Sequence, residues 1–164
     1  MPRCPWAVVA LATALVAGAA TDARADFNLT GFVGASTTPA VRPAKGVAAG
    51  VGLLVVGFEF EYAMISEDVT AEMPSLQTGM VNVLVQTPIP LGRVQVYGTI
   101  GGGVYHEVLG DRGQVNVGIN YGGGVRLTIA GPLRARFDYR LFQLYGSARV
   151  PNPQRFYAGL SLSF

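Results

Sequence analysis

Charge is scarce in this chain. Only 13% of its 164 residues are Asp, Glu, Lys or Arg, roughly half the share carried by a soluble domain. Half of the residues are apolar and the mean hydropathy is +0.36. A long apolar run is also missing. A membrane-spanning helix needs about 20 consecutive apolar residues, and only the N-terminus approaches that length without reaching it. There is one cysteine, Cys4. It precedes the N-terminal apolar stretch, which excludes a lipoprotein cleavage cysteine and leaves the rest of the chain without disulfide, metal-thiolate or cysteine-nucleophile chemistry. No segment has metal-ligand spacing, and no cofactor is implied.

Residues 1–25 read as a cleavable signal peptide. Arg3 is the positive n-region, Ala7 to Ala20 the apolar core, and Ala23-Arg24-Ala25 a small-residue cleavage site before Asp26. Without that segment ten basic and nine acidic residues remain, a balance that gives no support to nucleic acid as a partner. Residues 26–164 then form one domain.

That domain alternates apolar and polar residues in stretches of about ten, the period of a β-strand. At the end of the chain Phe156, Ala158, Leu160, Leu162 and Phe164 fall on one face, and Tyr157, Gly159, Ser161 and Ser163 on the other. Leu133–Leu141 sets Ala135, Phe137 and Tyr139 against Arg134, Arg136, Asp138 and Arg140. Val115–Ile129, Val94–Tyr105 and Phe58–Met64 repeat the pattern, and three less tidy strands are expected near Phe27–Gly34, Val47–Leu53 and Gly79–Thr87. Short turns are expected at Leu54–Val56, Pro88–Arg93 and Ala130–Pro132, and longer polar loops at Ala35–Lys45, Ser66–Gln77, His106–Gln114 and Gly146–Gln154. Eight strands with short turns at one end and long loops at the other describe an all-β, antiparallel, up-and-down transmembrane barrel of the outer membrane.

A soluble eight-stranded barrel would turn the apolar face inward instead. The 22 glycines, many of them on the polar face, argue against it. A solvated face has no need to be bare, whereas a narrow lumen needs room for arginine and tyrosine. The outward face is therefore expected to meet outer-membrane lipid.

The last eight residues, Tyr157-Ala158-Gly159-Leu160-Ser161-Leu162-Ser163-Phe164, resemble the C-terminal signal read by the barrel assembly machinery, with Gly159, Leu162 and Phe164 matching its glycine, hydrophobic and terminal aromatic positions. Gly122 to Leu127 together with Arg136 to Arg140 are similar to the penultimate hairpin of the OmpA-like and opacity-type outer-membrane barrels. The resemblance runs from Phe27 to the end and implies an architecture more than an activity, because that superfamily hosts many. OmpA proper continues into a peptidoglycan-binding domain and this chain ends at Phe164, so cell-wall anchoring is not implied.

The polar face supplies the candidate site. Strands three and seven of an eight-stranded barrel face each other across the lumen. Counting from the turns sets Glu59 near Arg136, and Glu61 near Asp138 and Arg140, with Arg126 beside Arg136 and Arg134 at the turn end of the same row. An isolated charge in a low-dielectric lumen costs several kcal/mol, so these groups are expected to pair into a salt-bridge plug. A narrow, low-conductance ion path is the alternative. A lipid-modifying enzyme is the second alternative, resting on His106, the one histidine, with Glu107, Asp111 and Ser147. Val108 stands where a deacylase-type pattern has serine, so catalysis is not expected. Gly101–Gly103 and Gly122–Gly124 lie within strands and lack the Lys-Ser/Thr of a phosphate loop; Gly98 and Gly123 are expected to leave a shallow groove on the lipid face, open to a lipid or partner contact. The expected role is structural or in surface interaction, as a monomer, with any extracellular ligand met by the loops.

Overall fold

The computed structural model describes residues 25–68, 71, 73–87, 92–110 and 112–164; the expected signal peptide thus lies outside the described residues except for Ala25. Eight strands follow in order: β1 (Asp26–Ser36), β2 (Arg42–Gly52), β3 (Val56–Ile65), β4 (Ser75–Gln86), β5 (Val94–Leu109), β6 (Arg112–Ala130), β7 (Leu133–Leu144) and β8 (Gln154–Ser163). Each pairs antiparallel with its neighbours, and β1 pairs with β8 to close the barrel. Closure reaches the last residue, since Phe164 and Phe27 exchange two backbone hydrogen bonds at 2.8 and 3.1 Å. No strand edge is left along the β1–β8 seam, a requirement for backbone placed in hydrocarbon.

Side chains alternate in and out, with a register shift in β6 between Thr128 and Ala130. Phe58, Phe60, Val81, Val83, Val117, Phe137, Phe156 and Leu160 all point outward and are exposed. Phe27, Phe58 and Phe164 stand at the turn end of this band, Tyr62, Tyr139 and Phe156 towards the loop end, as in the aromatic girdles of membrane barrels. Inward-facing glycines give space to large side chains, as expected. A Cβ on Gly124 would stand 2.5 Å from Tyr97 Oη, and one on Gly46 2.5 Å from the Phe32 ring.

Three expectations need correction. The His106–Gln114 segment is not a loop: β5 continues to Leu109 and β6 starts at Arg112, with Gly110 turning the chain at a φ of +58°. Its polar residues reflect a hairpin standing in water beyond the membrane. The Ala35–Lys45 loop is also shorter than expected, because β1 reaches Ser36 and β2 begins at Arg42. Finally, the lumen is not polar throughout. Its loop-end half is packed by Ala44, Ile65, Leu76, Met80, Phe142 and Leu144, with Tyr105 among them. This explains the untidy pattern of β4, where Met80 and Leu84 point inward while Val81, Val83 and Val85 point outward.

Candidate functional site

The turn-end half of the lumen holds an ionic layer. Arginines at alternate positions of β7 project inward opposite the two glutamates of β3, four strands away in the closed order. Arg136 meets Glu59 through both terminal nitrogens, Nη1 on Oε2 and Nη2 on Oε1, the latter at 3.0 Å. Its Nε donates to Asp138 Oδ2 at 2.6 Å and to Tyr97 Oη at 2.7 Å. Arg140 lies 3.3 Å from both Glu59 and Glu61 and 3.4 Å from Asp138. Tyr97 completes the ring by donating to Asp138 Oδ1 at 2.6 Å. Forked guanidinium–carboxylate contacts are the strong form of such bonds, and they hold Arg136, Arg140, Glu59 and Glu61 at most a few per cent exposed.

Arg126 joins from β6 as the ladder partner of Arg136. It donates to Gln86 Oε1 at 3.0 Å and lies 4.7 Å from the Tyr97 ring centre. Arg134 does not join. It sits two residues nearer the turn end and pairs instead with Asp26 at 3.5 Å, where the two side chains are 26% and 49% exposed. Of the seven charged residues expected in the lumen, six are assembled there and Arg134 belongs to the rim.

Several participants escaped the sequence pattern. Asn120 links Arg140 to Asn82 through hydrogen bonds of 3.0 and 2.8 Å. Arg155 and Arg42 are buried within the lumen, although both stood at or within expected loops. Stepping the alternation of β8 back from Tyr157 would have reached Arg155. Above the ionic layer comes the apolar packing described above. A void between Asn28, Leu84, Gln86 and Arg126 measures about 10 Å³, room for roughly one water.

The C-terminal residues take the faces expected of them. Leu162 and Phe164 are exposed on the outer surface, and Gly159 faces Phe32 across the β1–β8 ladder. Gly98 and Gly123 are ladder partners, and Gly123 borders an outer-face depression of about 720 Å³ between Val33, Phe137, Tyr139 and Phe156.

His106 stands within β5, opposite Gln77 and Val115. Glu107 points the other way, into the lumen, where Oε2 accepts Gln114 Nε2 at 3.0 Å and Arg149 N at 3.2 Å. Adjacent strand residues face opposite sides, so the geometry does not join His106 and Glu107 as a base and its orienting acid. Asp111 lies outside the described residues. His106→Ala is expected to leave the lipid A mass spectrum of expressing bacteria unchanged; a lost or added acyl chain would restore the enzyme reading.

No protein-family model matches the chain, and no curated protein matches it in sequence. Solved structures do match in shape. The N-terminal β-barrel domain of Pseudomonas aeruginosa OprF superposes with a TM-score of 0.66 at 13% identity, over 87% of this chain and all of that one. Neisserial surface protein A gives 0.65 at 15% identity, over 85% and 96%. Ail, the attachment invasion locus protein of Yersinia pestis, gives 0.55 at 10% identity, over 88% and 100%. The chain thus folds as a closed eight-stranded antiparallel β-barrel with an apolar exterior, the fold shared by these outer-membrane proteins.

Proposed function

We propose that this protein is a closed outer-membrane scaffold that acts through its loop end, by recognising a partner at the cell surface, and not by passing solutes or by catalysis. The observation that carries this reading is the double seal of the lumen, ionic towards the turns and apolar towards the loops. A conducting pore needs a wetted path lined by charge, and eight strands enclose only enough space for side chains. In the turn-end half the charges face one another instead.

The loop end, by contrast, presents an open strand edge. β7 stops at Leu144, opposite Gly118 of β6, so β6 from Gly113 to Asn116 is laddered to β5 on one side and to no named strand on the other. Beside it lies a cavity of about 280 Å³ lined by Pro74, Glu107, Leu109, Gln114 and Arg149. Binding groups on a rigid scaffold concentrate on such connections. A structure of Ail contains the heparin analogue sucrose octasulfate. In sequence, the loop-end segments of this chain are of mixed charge, Lys45, Arg112 and Arg149 against Glu67, Asp68, Glu72 and Asp111, which gives a polyanion little to favour. A protein surface of mixed charge is the better match.

The remaining partners follow from the same reading. Outer-membrane lipid solvates the apolar band, and the assembly machinery reads Gly159, Leu162 and Phe164 during biogenesis. The expected state is a monomer, since β1 pairs with β8 of the same chain and no second copy is needed to close the sheet. Planar-bilayer recording of the refolded protein is expected to show no steady discrete openings, and shortening the β5–β6 hairpin is expected to abolish adherence of expressing bacteria to protein-coated surfaces while the barrel still folds. Stepwise conductance, or undiminished adherence, would overturn the proposal.

A further inference from the structure

Among the described residues, five arginines and four carboxylates are buried. They divide by height in the barrel. In the ionic layer Arg126, Arg136 and Arg140 are matched in number by Glu59, Glu61 and Asp138. In the loop-end half Glu107 is the one buried carboxylate beside Arg42 and Arg155, and the exposed Asp68 acts on Arg42 from the surface. Among the buried groups one positive charge is left over.

Ion pairs among the described residues involve Arg134, Arg136 or Arg140, and Arg42, Arg126 and Arg155 form none. Arg126 lies over Tyr97 within the field of Glu59 and Asp138, whereas Arg155 reaches a carboxylate only indirectly, Glu61 through the Tyr157 hydroxyl. Glu107 is engaged elsewhere, by Gln114 and the Arg149 backbone. Arg155 is 0% exposed. Its Nη1 donates to Thr78 Oγ1 at 2.9 Å and Tyr157 Oη at 3.3 Å, and its guanidinium lies 4.1 Å from the centre of the Phe142 ring. Nε and Nη2 have no acceptor among the described residues. In a guanidinium these two N–H bonds point the same way and form the side-on fork that takes two oxygens of an oxyanion or a single halide.

Neighbouring residues strengthen the case for an anion. Ser36, fully buried, pairs with Arg155 on one side and Arg42 on the other. The backbones of the two arginines are therefore two strand spacings apart, about 10 Å. Arg42 bonds Pro74 O at 2.6 Å and keeps a buried Nε without an acceptor. A water at the fork would satisfy donors but leave the charge uncompensated, which is the larger penalty in a low-dielectric interior. The Phe142 ring lies against this guanidinium, and an apolar wall favours an ion that sheds its hydration shell readily.

We propose that the Nε–Nη2 fork of Arg155 holds one small, weakly hydrated inorganic anion, of the chloride class, enclosed in the loop-end half of the lumen as a structural counterion. The ion neutralises the excess charge and ties β8 to its surroundings, making the folded state sensitive to halide.

Thermal unfolding of the refolded protein in detergent, at fixed ionic strength, tests this. The midpoint is expected to rise from sodium gluconate to chloride to bromide and to saturate. At a halide concentration 100-fold above its Kd, the folded-to-unfolded ratio should increase about 100-fold. Crystals grown in bromide should show an anomalous peak in contact with Arg155 Nε and Nη2. Arg155→Gln should abolish the halide effect. Arg155→Lys keeps the charge without the fork, and should weaken halide affinity by at least about tenfold; it and the anomalous peak keep the test decisive if the glutamine variant fails to fold. Equal midpoints in gluconate and halide, a halide effect unchanged in Arg155→Lys, or water alone at the fork would each overturn the proposal.

Discussion

Glu59→Gln combined with Glu61→Gln is expected to lower the unfolding temperature sharply or to prevent refolding. Glu59 takes both terminal nitrogens of Arg136 and lies 3.3 Å from Arg140, while Glu61 lies 3.3 Å from Arg140 and accepts Tyr157 Oη at 3.1 Å. The substitutions leave three buried arginines around Asp138 alone. Each new amide would also turn donors towards guanidinium donors. Removing one partner of a buried pair costs about 3–5 kcal/mol. The two losses share Arg140 and will not add simply, so the combined effect is on the order of 5 kcal/mol, comparable with the whole stability of many domains. Arg134→Gln is the control. Its partner Asp26 is half exposed, and a pair of that kind contributes about 0–1 kcal/mol. Heat-modified electrophoretic mobility reads both variants. A double variant as stable as the parent would mean that the lumen is wet, and the channel reading would regain its footing.

Val81→Arg should be nearly as damaging, for a different reason. Val81 is 60% exposed at the middle of β4, flanked across the ladders by Phe60 and Gly102. If that exposure is to lipid, arginine there costs about 2–4 kcal/mol. If it were to water, the change would fall within about 0.5 kcal/mol. Urea titration in phospholipid vesicles separates the two, and an unshifted midpoint would refute a lipid-facing exterior. Lys45 marks the contrast. It lies on the same outer face but near the loop end, where a long cation can reach interfacial water with its head while its stem remains on apolar surface.

The sequence was most readable where one face is uniformly apolar and the other is not. β7 and β8 satisfy this along most of their length, and their inward faces were legible apart from Arg134, which pairs at the rim, and Arg155, which was read as part of a loop. β4 does not, because Met80, Leu84 and Val81 give both faces an apolar character. The β5–β6 hairpin was misread for the opposite reason. His106, Glu107, Gln114 and Asn116 are polar, but a strand leaving the membrane needs no apolar face to remain a strand. Its ladder continues to Leu109 and Arg112. Arg42 and Arg155 were hidden by position, one at the start of β2 and the other at the start of β8, where an arginine reads as part of a loop.

Strand number, hairpin order and the division of each strand into a lipid side and a lumen side were written into the chain, because a two-residue period is a local property and closure leaves few ways to arrange eight such strands. The depth at which charges meet was not. The stagger of a closed barrel depends on all eight ladders together, and it alone brought Arg136 onto Glu59, lowered Arg134 to the rim beside Asp26, and left Arg155 enclosed without a direct ion pair.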